Sequence, residues 1–222
     1  MINNQKYWDS EFTKGLIYGS YPSKIAIKTA GLLIREKLIN PDCRLLEIGG
    51  GYGRNSQYFA EHLGIKATVI DISQVALNLG QDRTKDENNP PKFVLGDILN
   101  LRDYFTPLNF DVVFHNFCLH LLPSLDRNKI YRGVFEVLKE RGLFIGSYLS
   151  INDPDCMEEH TEKGATLNVR GKQQHFFSED EIRTEVKPYF SIDTLVKSSD
   201  PEKIINELRN IEYYFLVGKK NA

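Results

Sequence analysis

Cysteine is scarce in this 222-residue sequence: three residues, Cys43, Cys118 and Cys156, scattered without the paired spacing of a disulfide framework. A reducing compartment follows. An excess of one charge is missing as well. Lys and Arg number 28 against 30 Asp and Glu, a formal net charge of −2, so no broad electrostatic footprint for nucleic acid or an anionic membrane is expected. No uninterrupted apolar run approaches the roughly 20 residues of a membrane span, and the opening "MINNQKYWDS" has no apolar signal region. These absences predict a cytoplasmic, soluble protein with no nucleic-acid and no membrane partner. Metal-ligand spacing is also missing. His115, Cys118 and His120 are crowded, and Cys156 and His160 stand four apart, yet no C-x-x-C or H-x-x-x-H pair supports a zinc site. No metal is expected.

What is present is an ordinary globular composition, 41% hydrophobic and 26% charged. The length suits one α/β domain over 1–222. There is no internal repeat. Apolar spacing predicts a helix from Pro22 to Leu38, with Ile25, Ile27, Leu32, Leu33 and Leu38 recurring and Asn40-Pro41 as the stop. Short apolar runs at Leu45–Ile48, Ala67–Ile70, Phe93–Leu95, Asp111–Phe114 and Leu143–Leu149 predict five strands. Helices are predicted between them: Asn55–Leu63 ending at Gly64, Ser73 to about Asp82, and Asp126–Leu138. Ser178 with Glu181 three residues on has capping-box spacing. Phe190–Val196 and Tyr213–Val217 read as late strands, compatible with an antiparallel ending. Alternating strands and helices imply a parallel sheet with right-handed crossovers.

The first strand runs into "EIGGGYGRN". Gly49, Gly50, Gly51 and Gly53 follow a strand and open a helix, the context in which bare backbone meets a ligand. The spacing departs from the dinucleotide fingerprint, because Arg54 stands where G-x-G-x-x-G needs its last glycine. Glu47, two residues ahead of the loop, would repel a pyrophosphate and suit a ligand carrying a cation. Asp71 ends the second strand twenty residues after Gly51, where an acid can accept both hydroxyls of a ribose. Asp97 ends the third strand, within reach of an adenine edge and beside Ile98.

The stretches "LLEIGGGYGRNSQYFA", "VIDIS", "FVLGDIL" and "FDVVFHNFCLHLLP" resemble the successive motifs of class I S-adenosylmethionine-dependent methyltransferases over roughly residues 40 to 150. That resemblance implies a seven-stranded, mostly parallel sheet with helices on both faces and an antiparallel last strand. It implies S-adenosyl-L-methionine as cofactor, with Glu47, Gly49, Gly50 and Gly51 near its methionine part. Asp71 would hold the ribose, Ile72 would pack on the adenine, Asp97 and Ile98 would hold that ring, and Asn116 or Phe117 would lie near the methyl. More narrowly, "YWDSEFTKG", "YGSYPSK" and "HFFSEDEI" look like the small-molecule methyltransferases grouped with tellurite-resistance and thiopurine enzymes.

Methyl transfer from a sulfonium needs alignment first, and a base only when the acceptor holds its proton. His115 and His120 are the candidate bases. Tyr18, Tyr21, His120 and His175 are the candidate substrate-side residues. Residues 1–39 are expected to form a helical lid and the first helix, and 150–177 a polar loop on the substrate side. The leading expectation is methyl transfer to a small molecule. The alternatives are an NAD(P)-dependent oxidoreductase, disfavoured by Arg54 and Glu47, and a non-catalytic methyltransferase-like subunit. The acceptor and the oligomeric state are left open by the sequence.

Overall fold

The structure, a computed structural model, describes residues 4–15, 19–157, 164–169, 172–204 and 207–221. Helix α1 spans Asn4–Thr13 and α2 Lys24–Arg35. Ser23 starts α2 by accepting the Ala26 N–H on its hydroxyl at 3.1 Å. α2 is shorter at both ends than the apolar spacing predicts, and Ile27 is on its outer face, 51% exposed. Strand β1, Arg44–Ile48, leads through the glycine loop into α3, Arg54–Leu63. Gly64 ends α3 in the left-handed region, its N–H reaching the Ala60 carbonyl. β2 is Lys66–Asp71. Ser73 then caps α4, Gln74–Thr84, before β3, Lys92–Leu95.

A 3-10 turn at Ile98–Asn100 and the short α5, Leu101–Tyr104, lead to β4, Phe110–Asn116. A second 3-10 turn, Leu119–Leu121, precedes α6, Ser124–Val137. β5 runs Leu138–Leu149, longer than expected because Leu138 already pairs with Phe110 ahead of an irregularity in register. The polar connection expected as a loop carries structure of its own. It holds α7, Pro154–Met157, and an antiparallel hairpin of β6, Ala165–Val169, and β7, Lys172–Phe176. α8 is Glu179–Val186, capped by Ser178. β8, Phe190–Ile204, and β9, Glu207–Lys220, form one antiparallel pair much longer than the two apolar runs that announce them.

Seven strands form one sheet in the order β3-β2-β1-β4-β5-β9-β8, with β9 alone running against the rest. Neighbours along each strand serve opposite faces. Leu46, Val113 and Phe144 pack with α6 and α8, whereas Leu45, Val112 and Ile145 pack with α2 and α3. The order reverses between β1 and β4, and ligands of open α/β sheets bind beyond the carboxyl ends of strands at such a point. Among the described residues no helix is long and apolar enough to cross a membrane.

Candidate functional site

The carboxyl ends of β1 to β4 form one edge, and the glycine loop lies across it. Gly49 and Gly51 take φ of +62° and +56°, the left-handed region that favours glycine. Space forbids a side chain too: a Cβ on Gly49 would lie 2.3 Å from Cys118 Sγ, and one on Gly50 2.9 Å from Glu47 Cδ. The loop is therefore pressed against both β1 and the turn after β4.

Glu47 is 1% exposed and spends its carboxylate inside the fold. It accepts the Asn55 amide at 2.9 Å, the Ser56 N–H at 3.0 Å and the Ser56 hydroxyl at 2.6 Å. Gly53 has no side chain to cap α3, so Glu47 satisfies a first-turn N–H from a neighbouring strand. The sequence sets Glu47 beside a ligand cation; in the structure its hydrogen bonds go to α3. Burial raises its carboxyl above the ordinary range despite these donors.

Asp71 accepts the Gly51 N–H at 2.7 Å on one oxygen and the Ser73 N–H at 2.8 Å on the other. Burial again raises the carboxyl. Ile72 beside it is half-buried. Asp97 is half-buried, accepts the Leu99 N–H at 2.9 Å on one oxygen, and has no hydrogen-bond partner for the other among the described residues. Ile98 packs below it on the core. At the end of β4, Ser147 Oγ donates to Asn116 Oδ1 at 3.3 Å and accepts the Phe117 N–H at 3.0 Å. Phe117, at a φ of +51°, meets Tyr213 edge-on at 5.6 Å and His120 at 6.2 Å.

The histidines separate. His120 lies in the turn after β4, 8% exposed, and its Nδ1 is buried without a partner among the described residues. His175 on β7 meets Glu181 Oε1 at 2.7 Å through Nε2 and Thr166 Oγ1 at 2.8 Å through Nδ1. His115 is turned into the core against Phe144 and Tyr148, and burial lowers its pKa to about 3. The structure does not bring it together with the residues at the sheet edge. Tyr21 is 83% exposed, and Tyr18 lies outside the described residues.

Helix α1 joins the two halves of the site through aromatics the sequence offers as a lid, Trp8 and Phe12, and through two acids it did not single out, Asp9 and Glu11. Asp9 accepts the Ser73 hydroxyl at 2.7 Å and the Val75 N–H at 3.1 Å. Phe12 lies where a Cβ on Gly51 would approach within 3.2 Å. On the other side Glu11 pairs with Lys172 of β7 at 3.5 Å, and that ammonium stands 5.0 Å over the Trp8 ring. The aromatics of "YWDSEF" were the only sign of this helix's importance; its acids pair with partners far away in sequence.

Residues 45–142 match the family described as a methyltransferase domain. A phosphoethanolamine N-methyltransferase of Plasmodium falciparum is 26% identical over 164 residues, 72% of this chain and 60% of its own length. The ubiquinone/menaquinone biosynthesis C-methyltransferase UbiE of Vibrio cholerae is 34% identical over 109 residues, 46% of this chain and 39% of its own. The chain thus spans less than two thirds of these relatives' length. A solved structure of Burkholderia thailandensis 1,6-didemethyltoxoflavin-N1-methyltransferase, with bound substrate and S-adenosylhomocysteine, superposes with a TM-score of 0.72. It is 17% identical, over 99% of this chain and 88% of that one. Residues 45–142 thus match a methyltransferase domain, and the sheet they help to build has the fold of solved methyltransferases.

Proposed function

We propose that the protein transfers a methyl group from S-adenosylmethionine to a small molecule. The observation that carries this reading is the placement of Asp71 at the end of β2 and of Asp97 two residues past the end of the neighbouring β3, on the edge crossed by the glycine loop. The residues present fit the group. Asp97 keeps an unpartnered oxygen for an adenine amine, Ile72 and Ile98 offer apolar faces, and Asp71 stands where ribose hydroxyls can replace or share its backbone donors. Bound there, the cofactor supplies a methyl group already activated by a sulfonium charge.

The chain's own part is positioning. Asn116 and Phe117 are fixed through Ser147 at the end of β4. α1 reaches from the start of α4 to β7 of the hairpin, a cover that would exclude water and align the reactants. His120 and His175 form the acceptor wall. A small acceptor is favoured by these enclosing elements, by the near-zero net charge and by the phosphoethanolamine and quinone-pathway relatives. Calorimetry with S-adenosylhomocysteine tests the reading, with NADP⁺ as the control. Binding of the first and not the second is expected. The reverse, or no heat from either, would overturn it.

A further inference from the structure

We infer that β8 is a docking edge for a second copy of this chain. The two β8 strands pair antiparallel about a two-fold axis at Leu195, so that Asp193 of each copy stands opposite Lys197 of the other.

β8 is the last strand of the sheet, and among the described residues no strand pairs with its outer side. The strands behind it fix which of its peptide groups are spent. The Ser150 N–H donates to the Glu212 carbonyl at 2.9 Å. Even-numbered residues of β9 therefore turn their peptide groups to β5, and odd-numbered ones to β8. Tyr213, Phe215 and Val217 stand opposite Ser198, Val196 and Thr194. The peptide groups of Thr194, Val196 and Ser198 are thus used inside the sheet, while those of Leu195 and Lys197 point out of it. Pro201 falls on the same outward parity, where its missing N–H costs no ladder bond.

A two-fold at Leu195 matches outward groups with outward groups. Leu195 meets Leu195 of the second copy, Lys197 meets Asp193, and Val196, 51% exposed, packs beside Thr194. A two-fold at Lys197 would set two ammonium groups against each other, and one at Val196 would leave Asp193 opposite Ser199. Charge selects Leu195. Neither charge is spent elsewhere: Asp193 has no side-chain partner among the described residues, and Lys197 reaches Asn152 Oδ1 at 3.4 Å.

Leu195 packs on the core shared with α6 and α8, so Lys197, two residues on, stands on the α8 face. On that face a groove of about 880 Å³ runs between α8 and the amino half of β8, lined by Asp180, Lys187, Phe190 and Ile192. In the paired arrangement Lys197 of the second copy is directed toward this groove, where Asp180 adds an acid to Asp193. Natural edges carry bulges, lysines and prolines that stop open-ended pairing. Here the irregularity in register between Ile192 and Thr194, repeated by the two-fold, bounds the paired stretch at both ends, and Pro201 lies outside it. The contact is isologous and closes after two copies. The glycine loop and Asp71 belong to the other side of the sheet, so each copy keeps its own crevice.

Sedimentation equilibrium of the full chain tests the pairing. At roughly 50 μM the parent should have twice the mass of one chain. Lys197→Pro removes an outward N–H and no bond to β9, and should raise the dissociation constant by at least about tenfold. Asp193→Lys and Lys197→Asp each set like charges opposite each other at two symmetric points and should do the same. The double variant Asp193→Lys/Lys197→Asp restores opposite charges and should return to within about threefold of the parent. Residues that merely support the fold of one chain would give added losses in the double variant. Near-ultraviolet circular dichroism on each variant keeps loss of fold apart from loss of pairing. A monomeric parent, a dimer indifferent to Lys197→Pro, or a double variant no better than the single ones overturns the inference.

Discussion

His115→Leu should change the way stability depends on pH. His115 is fully buried against Phe144 and Tyr148, and neither ring nitrogen has a partner among the described residues. Burial lowers its pKa from 6.5 to about 3. Above 6.5 both folded and unfolded chains are neutral at this site. Below it the unfolded chain takes up a proton that the folded chain refuses, so the contribution is complete above 6.5 and is lost as pH falls toward 3. The slope is about 1.4 kcal/mol per pH unit, or about 2 kcal/mol between pH 6.5 and 5.

His120 acts with the same sign, while Glu47 and Asp71, raised by burial, act against it: their contribution is complete at low pH and falls as pH rises. The absolute curve mixes all four, but the difference between variant and parent isolates one. Urea unfolding at about pH 7, 6 and 5 should show His115→Leu gaining on the parent by about 2 kcal/mol across the series, with unchanged m-values. A difference that stays level with pH would mean that the imidazole has access to water or a proton partner, and the argument from burial would fail.

Glu47→Ala removes the one carboxylate that, among the described residues, holds the start of α3, and strands buried donors of Asn55 and Ser56; a loss of about 1–3 kcal/mol is expected from the urea midpoint, and no measurable loss would show that water replaces it. Asp71→Ala should weaken S-adenosylhomocysteine binding by about 1.5–3 kcal/mol in calorimetry, and unchanged affinity would remove Asp71 from the site. Asp9→Ala should lower stability by about 0.5–2 kcal/mol through the lost hydrogen bonds at the start of α4, with a parallel loss of protection of α1 in hydrogen exchange. Unchanged exchange would detach α1 from α4.

The first three strands were legible because each is a short apolar run closed by a glycine or an acid, and β4 and β5 because their apolar runs are longer. Ser73, Gly64 and Ser178 mark helix ends by local chemistry alone. β6 and β7 were not legible. "ATLNV" is a short alternating run inside a long polar stretch and "KQQHF" opens on three polar residues; they are ordered by pairing with each other, by the bridge from Phe177 to Ser150, and by Leu167, Val169 and Phe176 packing on the core. β8 and β9 were seen only where they cross the core; their far ends pair where no apolar pattern is needed, and Pro201 is tolerated because β8 is an edge strand. At the site, Asp71 closes β2 as the residue types indicated, whereas Asp97 falls two residues past β3, where it caps the turn that follows. Residue types could not show that Glu47 would bond to α3, since that depends on how closely β1 sets its carboxylate against Asn55 and Ser56. The pairing of Glu11 with Lys172 spans too many residues for any local pattern to reveal.

The contact between Gly49 and Cys118 makes one thiol a clock. All three cysteines are buried, and burial holds the Cys118 thiol well above its usual range, so an alkylating reagent finds no thiolate there while the crevice is shut. Its labelling rate counts how often the turn after β4 lifts off the glycine loop, and ligands that knit those two segments together slow the count.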